Sequence, residues 1–156
     1  MTKEQKSQFT LRITEANATE LVVILYDMAL VYLEEGMQAG DEKTLTDAIR
    51  KTRGCVNELL SSLHVEYEVA QQMQKLYLFC IRRLASATRT KEKAPLLEVQ
   101  KVLKPLRDAY AEISGQNTSE PVMKNAQTVY TGLTYGKTAS LQESLTDGES
   151  GRGMFV

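Results

Sequence analysis

The chain has 156 residues, of which 42% are hydrophobic and 25% charged, and its formal net charge is −1. That length supports one domain with a buried core, and so balanced a charge gives no overall pull toward nucleic acid or an anionic membrane. Cys55 and Cys80 lack a paired CxxC spacing, and no apolar run follows the polar start MTKEQKSQ. Buried thiols in a reducing cytoplasm are therefore expected, with no secretion signal and no membrane insertion.

Along the chain, Phe9, Leu11 and Ile13 alternate with Thr10, Arg12 and Thr14. A period of two predicts an extended segment laid on a surface, so residues 1–16 read as an N-terminal cap. The first helix is predicted to start at Asn17, where Asn17 and Glu20 have the spacing of a capping box. Its apolar pattern runs to Met37, with Gly36 and Gly40 marking the end. Asp41 caps the second helix, whose Leu45, Ile49, Thr52, Val56, Leu59 and Leu63 form a single stripe. After a break near residues 62–66 the third helix places Ala70, Met73, Leu76, Tyr77, Cys80, Leu84 and Ala87 on one side. It leaves through the polar, basic Thr88-Arg89-Thr90-Lys91, which suits the negative end of a helix dipole. Pro95 fits the first turn of the fourth helix, and Leu96, Val99, Leu103, Leu106, Tyr110 and Ile113 make its stripe. Pro105 falls inside that pattern, where a kink is expected, and Gly115 ends it.

Short connections between four long helices predict an all-α fold: an antiparallel up-down-up-down bundle over residues 17–114. Residues 115–156 read as a long, partly irregular C-terminal tail, with a short helix around residues 121–130. Its Tyr130–Gly136 and Gly151–Val156 stretches suit either a disordered tail or one docked on the bundle.

The first helix carries too much apolar surface. On a wheel, Val22, Leu25, Ala29, Tyr32 and Leu33 face the core, and Glu20, Asp27 and Glu34 form a thin wet stripe opposite. Ile24 and Val31 flank that stripe on one side, Val23 and Leu30 on the other. Apolar residues span roughly 280° of the circumference, against the ~100° that a bundle helix needs. Leu78 and Phe79 repeat the excess on the outside of the third helix, among Gln74, Lys75, Arg82 and Ser86. Exposed contiguous apolar surface marks an interaction site. The flanks are expected to be covered by the chain's own tails, by a partner's helix or extended segment, or by each in turn. Val23, Ile24, Met28, Leu30, Val31, Leu78 and Phe79 are thus the candidate partner-binding groove, with Phe9, Leu11 and Ile13 as its N-terminal cap.

Chemistry has little footing here. The lone His64 sits in the turn before the third helix, without the mid-helix HxxKG setting of a phosphotransfer bundle. A di-iron bundle needs two Glu-x-x-His helices. Phosphate-binding glycine loops and nucleophile elbows are missing from the sequence. Basic residues are spread and balanced by acids, and the Arg82–Lys93 region reads as a solvated helix end. No catalytic residue, metal, cofactor or nucleic-acid partner is expected.

The pattern resembles the FliS family of flagellar secretion chaperones. That family opens its first helix with a capped start followed by Leu-Ile/Val-x-x-Leu-Tyr-Asp-x-Ala, and here Leu21-Val22-Val23-Ile24-Leu25-Tyr26-Asp27-Met28-Ala29 stands there. Glu58-Leu59-Leu60-Ser61-Ser62-Leu63, Leu76-Tyr77 with Leu84, and Leu106-Arg107-Asp108-Ala109-Tyr110 match its later helices in order. Ala18 replaces a usual proline, Tyr110 a tryptophan, and Leu78 a frequent Asp. The resemblance covers residues 8–114 and points to Leu25, Tyr26, Asp27, Leu76, Tyr77, Arg107 and Tyr110 as family-motif residues. It implies a cytoplasmic, non-enzymatic export chaperone, a monomer or weak homodimer, that binds the C-terminal segment of flagellin and prevents premature polymerisation. It also implies a movable N-terminal cap over part of the site, and the flagellar export apparatus as a further partner. The other reading of the same surface is an adaptor or regulatory bundle that binds another helical partner.

Overall fold

The structure, a computed structural model, describes residues 1–116 and 120–123. Among the described residues five helices follow one another: α1 Lys3–Glu15, α2 Ala18–Gln38, α3 Glu42–Ser61, α4 Glu68–Thr90 and α5 Ala94–Ser114. Among the described residues there is no strand. Helices α2 to α5 form an antiparallel bundle in which neighbours along the chain pack side by side and α5 closes back on α2. Helices α2 and α4 therefore face each other diagonally across the core. Helix α1 lies outside the bundle, against α2.

The caps explain the boundaries. The Asn17 side chain accepts the Glu20 N–H at 3.0 Å, and the Glu20 carboxylate accepts the Asn17 N–H at 3.1 Å. This reciprocal pair satisfies two donors that a helix start would otherwise leave open. Asp41 accepts the Thr44 N–H at 2.8 Å and starts α3. Lys91 ends α4 in the left-handed conformation, at φ 60°, and its N–H donates to the Ala87 carbonyl at 2.8 Å. Pro95 sits in the first turn of α5, and the helix runs on through Pro105, which is exposed.

The core follows the expected stripes with shifts. Ile49, Val56, Leu59, Cys80, Leu84, Leu96, Val99 and Leu103 are buried, and each fully buried aliphatic contributes about 1.5–3 kcal/mol relative to exposure. Thr52 is buried too, and its hydroxyl donates to the Ala48 carbonyl at 2.8 Å. Leu76 and Ile113, expected inside, are exposed at the margins of their stripes. On α2 the fully buried set is Tyr26, Ala29 and Leu33, whereas Val22, Leu25 and Tyr32 are only half-buried. The core stripe of α2 is thus rotated by about one residue from the expected one, because the large Tyr26 ring points at α4. Gly36 has a packing role as well as a terminal one: a Cβ there would lie 2.9 Å from Leu96 Cδ1, so α2 and α5 approach closely.

The N-terminal segment is a correction. It is helical rather than extended. Thr2 and Gln5 form a second capping box, and the inward face is Met1, Gln5, Phe9 and Ile13, four residues apart. Phe9 and Ile13 satisfy a period of two and a period of four alike, and the stretch is too short for Leu11 to decide between them. Leu11 points away and is 61% exposed.

Candidate polypeptide-binding surfaces

The first surface is the outer face of α2, and α1 covers it. The two helices run antiparallel, like a hairpin closed at Ala16 and Asn17. Phe9, Ala16 and Ile24 form a buried cluster of their own, separate from the main core, with Met1, Ile13, Leu21, Met28 and Val31 packed around it. Two ion pairs clip the helices together. The Met1 ammonium meets Glu35, and Arg12 Nη2 donates to Asp27 Oδ2 at 2.8 Å. The Arg12 guanidinium also lies over the Phe9 ring, 5.4 Å from its centroid.

Asp27 has a second partner. Arg107 Nε on α5 donates to Asp27 Oδ1 at 2.7 Å, and that hydrogen bond raises the pKa of the guanidinium further above its ordinary value. The carboxylate, 16% exposed, joins three helices. The expected wet stripe Glu20–Asp27–Glu34 is therefore not one. Glu20 is a cap, Asp27 a partly buried junction, and only Glu34 is exposed, bonded to Gln38 at 2.7 Å.

Of the seven candidate groove residues, Val23 and Ile24 are buried. Met28 and Val31 are half-buried beside α1, and Leu30 is half-buried against the main core. Leu78 is exposed and Phe79 packs on the main core from α4. Since α4 lies diagonally opposite α2, the fold does not unite Leu78 and Phe79 with the α2 set in one groove. Of the cap residues, Phe9 and Ile13 touch α2 and Leu11 does not.

The second surface lies apart from the expected groove residues. At the end of the bundle where α2 begins, α3 ends and α4 begins, an open groove of about 670 Å³ has formed. Val22, Leu25, Met73 and Tyr110 lie along it, with Leu63 and Tyr67 at the α3–α4 turn and Val69 in the first turn of α4. Tyr67 and Val69 are exposed in it, and Val65, in the same turn, is exposed as well. The signal was present in the sequence: apolar side chains persist through the helix break, alternating with His64, Glu66 and Glu68.

The aromatic motif residues brace this end rather than react. The Tyr26 and Tyr77 hydroxyls are hydrogen-bonded to each other inside the core, and Tyr110 packs on Tyr26 with centroids 5.7 Å apart. The Tyr110 hydroxyl points at Met73 Sδ, 3.5 Å away. Burial raises all three phenols above their ordinary value, so they stay neutral. Burial likewise lifts the Cys55 thiol to about 11 and Cys80 to about 12, the values of inert core cysteines. Among the described residues, no group of His, Cys, Asp and Glu could hold a metal ion, and no helix is long and apolar enough to cross a membrane.

Fold and surfaces together define a class: a helical bundle whose apolar outer face lies under a helix of its own chain. The family model of flagellar protein FliS matches residues 1–117, and the chain belongs to the FliS family, which makes it a flagellar export chaperone. Comparison with curated proteins gives no match.

Proposed function

We propose that this protein captures the C-terminal segment of flagellin in the cytoplasm, keeps it from polymerising early and holds it ready for the flagellar export apparatus. Binding alone performs this work, with no catalytic step. The observation that carries the reading is the cover that α1 forms over α2. Helix α1 rests on α2 through one small apolar cluster and two ion pairs, and beneath it lie Ile24, Met28 and Val31. Helix α1 is also a template for what fits there: an amphipathic helix with apolar anchors four residues apart, as Phe9 and Ile13 are. A client that is unfolded when free spends about 2–5 kcal/mol of its contact energy on ordering, so it needs long apolar surface rather than one deep pocket. Val23, Ile24, Met28, Leu30 and Val31 are the residues proposed to meet the client on α2. Leu78 and Phe79 form a separate patch on α4 that a wrapping segment reaches later in its path.

The test is a titration of the purified protein with its cognate flagellin, followed by calorimetry and by the mass of the complex. A one-to-one complex is expected, lost when the flagellin lacks its C-terminal segment. Equal binding of intact and truncated flagellin, or of neither, refutes the reading.

A further inference from the structure

We propose that the end groove between the start of α2 and the α3–α4 turn is a docking site for this chain's own residues 124–141. Where the C-terminal segment begins is the first argument. Val122 is buried, and its N–H donates to the Ala16 carbonyl at 3.0 Å, across the α1–α2 junction. Ala16 is itself buried, and Ala18, two residues on, already lines the groove. The chain thus sets out along its remaining length from beside the groove. Length is sufficient: the 12 residues 124–135 can span up to roughly 40 Å when extended, more than the ~30 Å of a 20-residue helix.

Chemistry is the second argument. The groove is mostly apolar, and it leaves Tyr67 65% and Val69 70% exposed. Residues 124–141 bring Val129, Tyr130, Leu133 and Tyr135 within a short stretch of polar sequence. Charge agrees as well. Residues 58–68 at this end carry Glu58, Glu66 and Glu68 and no Lys or Arg, whereas residues 124–141 carry Lys124 and Lys137 and no Asp or Glu. A segment tethered beside its site competes at an effective concentration in the millimolar range, so modest contacts suffice to fill the groove. Any client segment that uses this end must displace it, at a cost in apparent affinity equal to the fraction of molecules with the groove free. The proposal stands apart from flagellin capture, which is assigned to the α1-covered face, so either can fail alone.

The test uses the full chain carrying a nitroxide spin label. Cys55 and Cys80 are buried, so a label directs itself to an introduced thiol. In the Ser61→Cys protein, labelled at the groove, amide signals of residues 128–135 are expected to be lost. In the Lys43→Cys protein, labelled at the far end of α3, they are expected to remain. Adding Leu133→Asp to the groove-labelled chain is expected to restore them. Retention of the signals in the groove-labelled chain overturns the proposal, and so does their loss under both labels. Loss that appears only between molecules, in a mixture of labelled and isotope-enriched chains, assigns the groove to a second copy and overturns it too. Persistent loss despite Leu133→Asp removes the apolar anchoring on which it rests.

Discussion

Phe9→Ala separates the cover from the bundle. Phe9 is 9% exposed and packs in the small cluster with Ile24, outside the main core. Removing a buried ring forfeits about 1.5–3 kcal/mol of transfer energy, and alanine returns about 0.5 kcal/mol as the better helix former. The net loss, about 1–2.5 kcal/mol, falls on the docking of α1 because Phe9 makes no part of the α2–α5 core. At 1.4 kcal/mol per tenfold, the docked-to-open ratio falls roughly 5- to 60-fold. Amide hydrogen exchange read by mass spectrometry checks this. Residues 5–15 should exchange faster by that factor, while the protected centres of α3 and α4 keep their rates. If α1 competes with the client, affinity for flagellin should rise, by no more than the same factor. The reasoning is refuted if α1 exchange is unchanged. It is refuted equally if all five helices lose protection together, because then α1 and the bundle are one cooperative unit.

Other perturbations test the rest of the structure. Asp27→Asn removes the charge that Arg12 and Arg107 share. With the carboxylate 16% exposed and Arg107 35% exposed, a loss of about 1–2 kcal/mol in chemical denaturation is expected, with α1 exchange raised as well. Tyr77→Phe leaves the Tyr26 hydroxyl buried without its partner and should cost about 1–3 kcal/mol in the same assay. Gly54→Ala, in the exposed middle of α3 with open space where the Cβ would go, should stabilise by about 0.5–1 kcal/mol and leave client binding unchanged. Cys55 and Cys80 should react with a thiol reagent at pH 8 only as fast as the protein opens. Their pKa values are raised on folding, from 9.0 to about 11 and about 12, so the folded state holds these protons more tightly than the unfolded one. The stabilisation is complete below pH 9 and is lost as pH rises through about 11 for Cys55 and about 12 for Cys80, which alkaline denaturation curves would register.

What local sequence determined here is what local physics decides. Asn17 with Glu20, Asp41, and Pro95 place three helix starts because each acts within one turn of itself. The stripe from Leu45 to Leu59 reads directly because α3 has one apolar face and nothing to compete with it. Helix α2 shows the limit. With apolar residues on most of its circumference, periodicity cannot say which of them meets the core, and the choice of Tyr26 over Leu25 was made by the Tyr77 hydroxyl 51 residues away. Asp27 looked like a solvated residue because its partners, Arg12 and Arg107, lie 15 and 80 residues off. The conformation of residues 3–15 was open for a related reason: Phe9 and Ile13 suit a strand or a helix, and docking on Ile24 favours the form that brings both to one side. The end groove belongs to four helices at once, so only their assembly could produce it. Sequence alone carried the bundle, its caps and its family. Tertiary structure decided which apolar residues are core and which are covered, because that depends on neighbours brought together from distant parts of the chain.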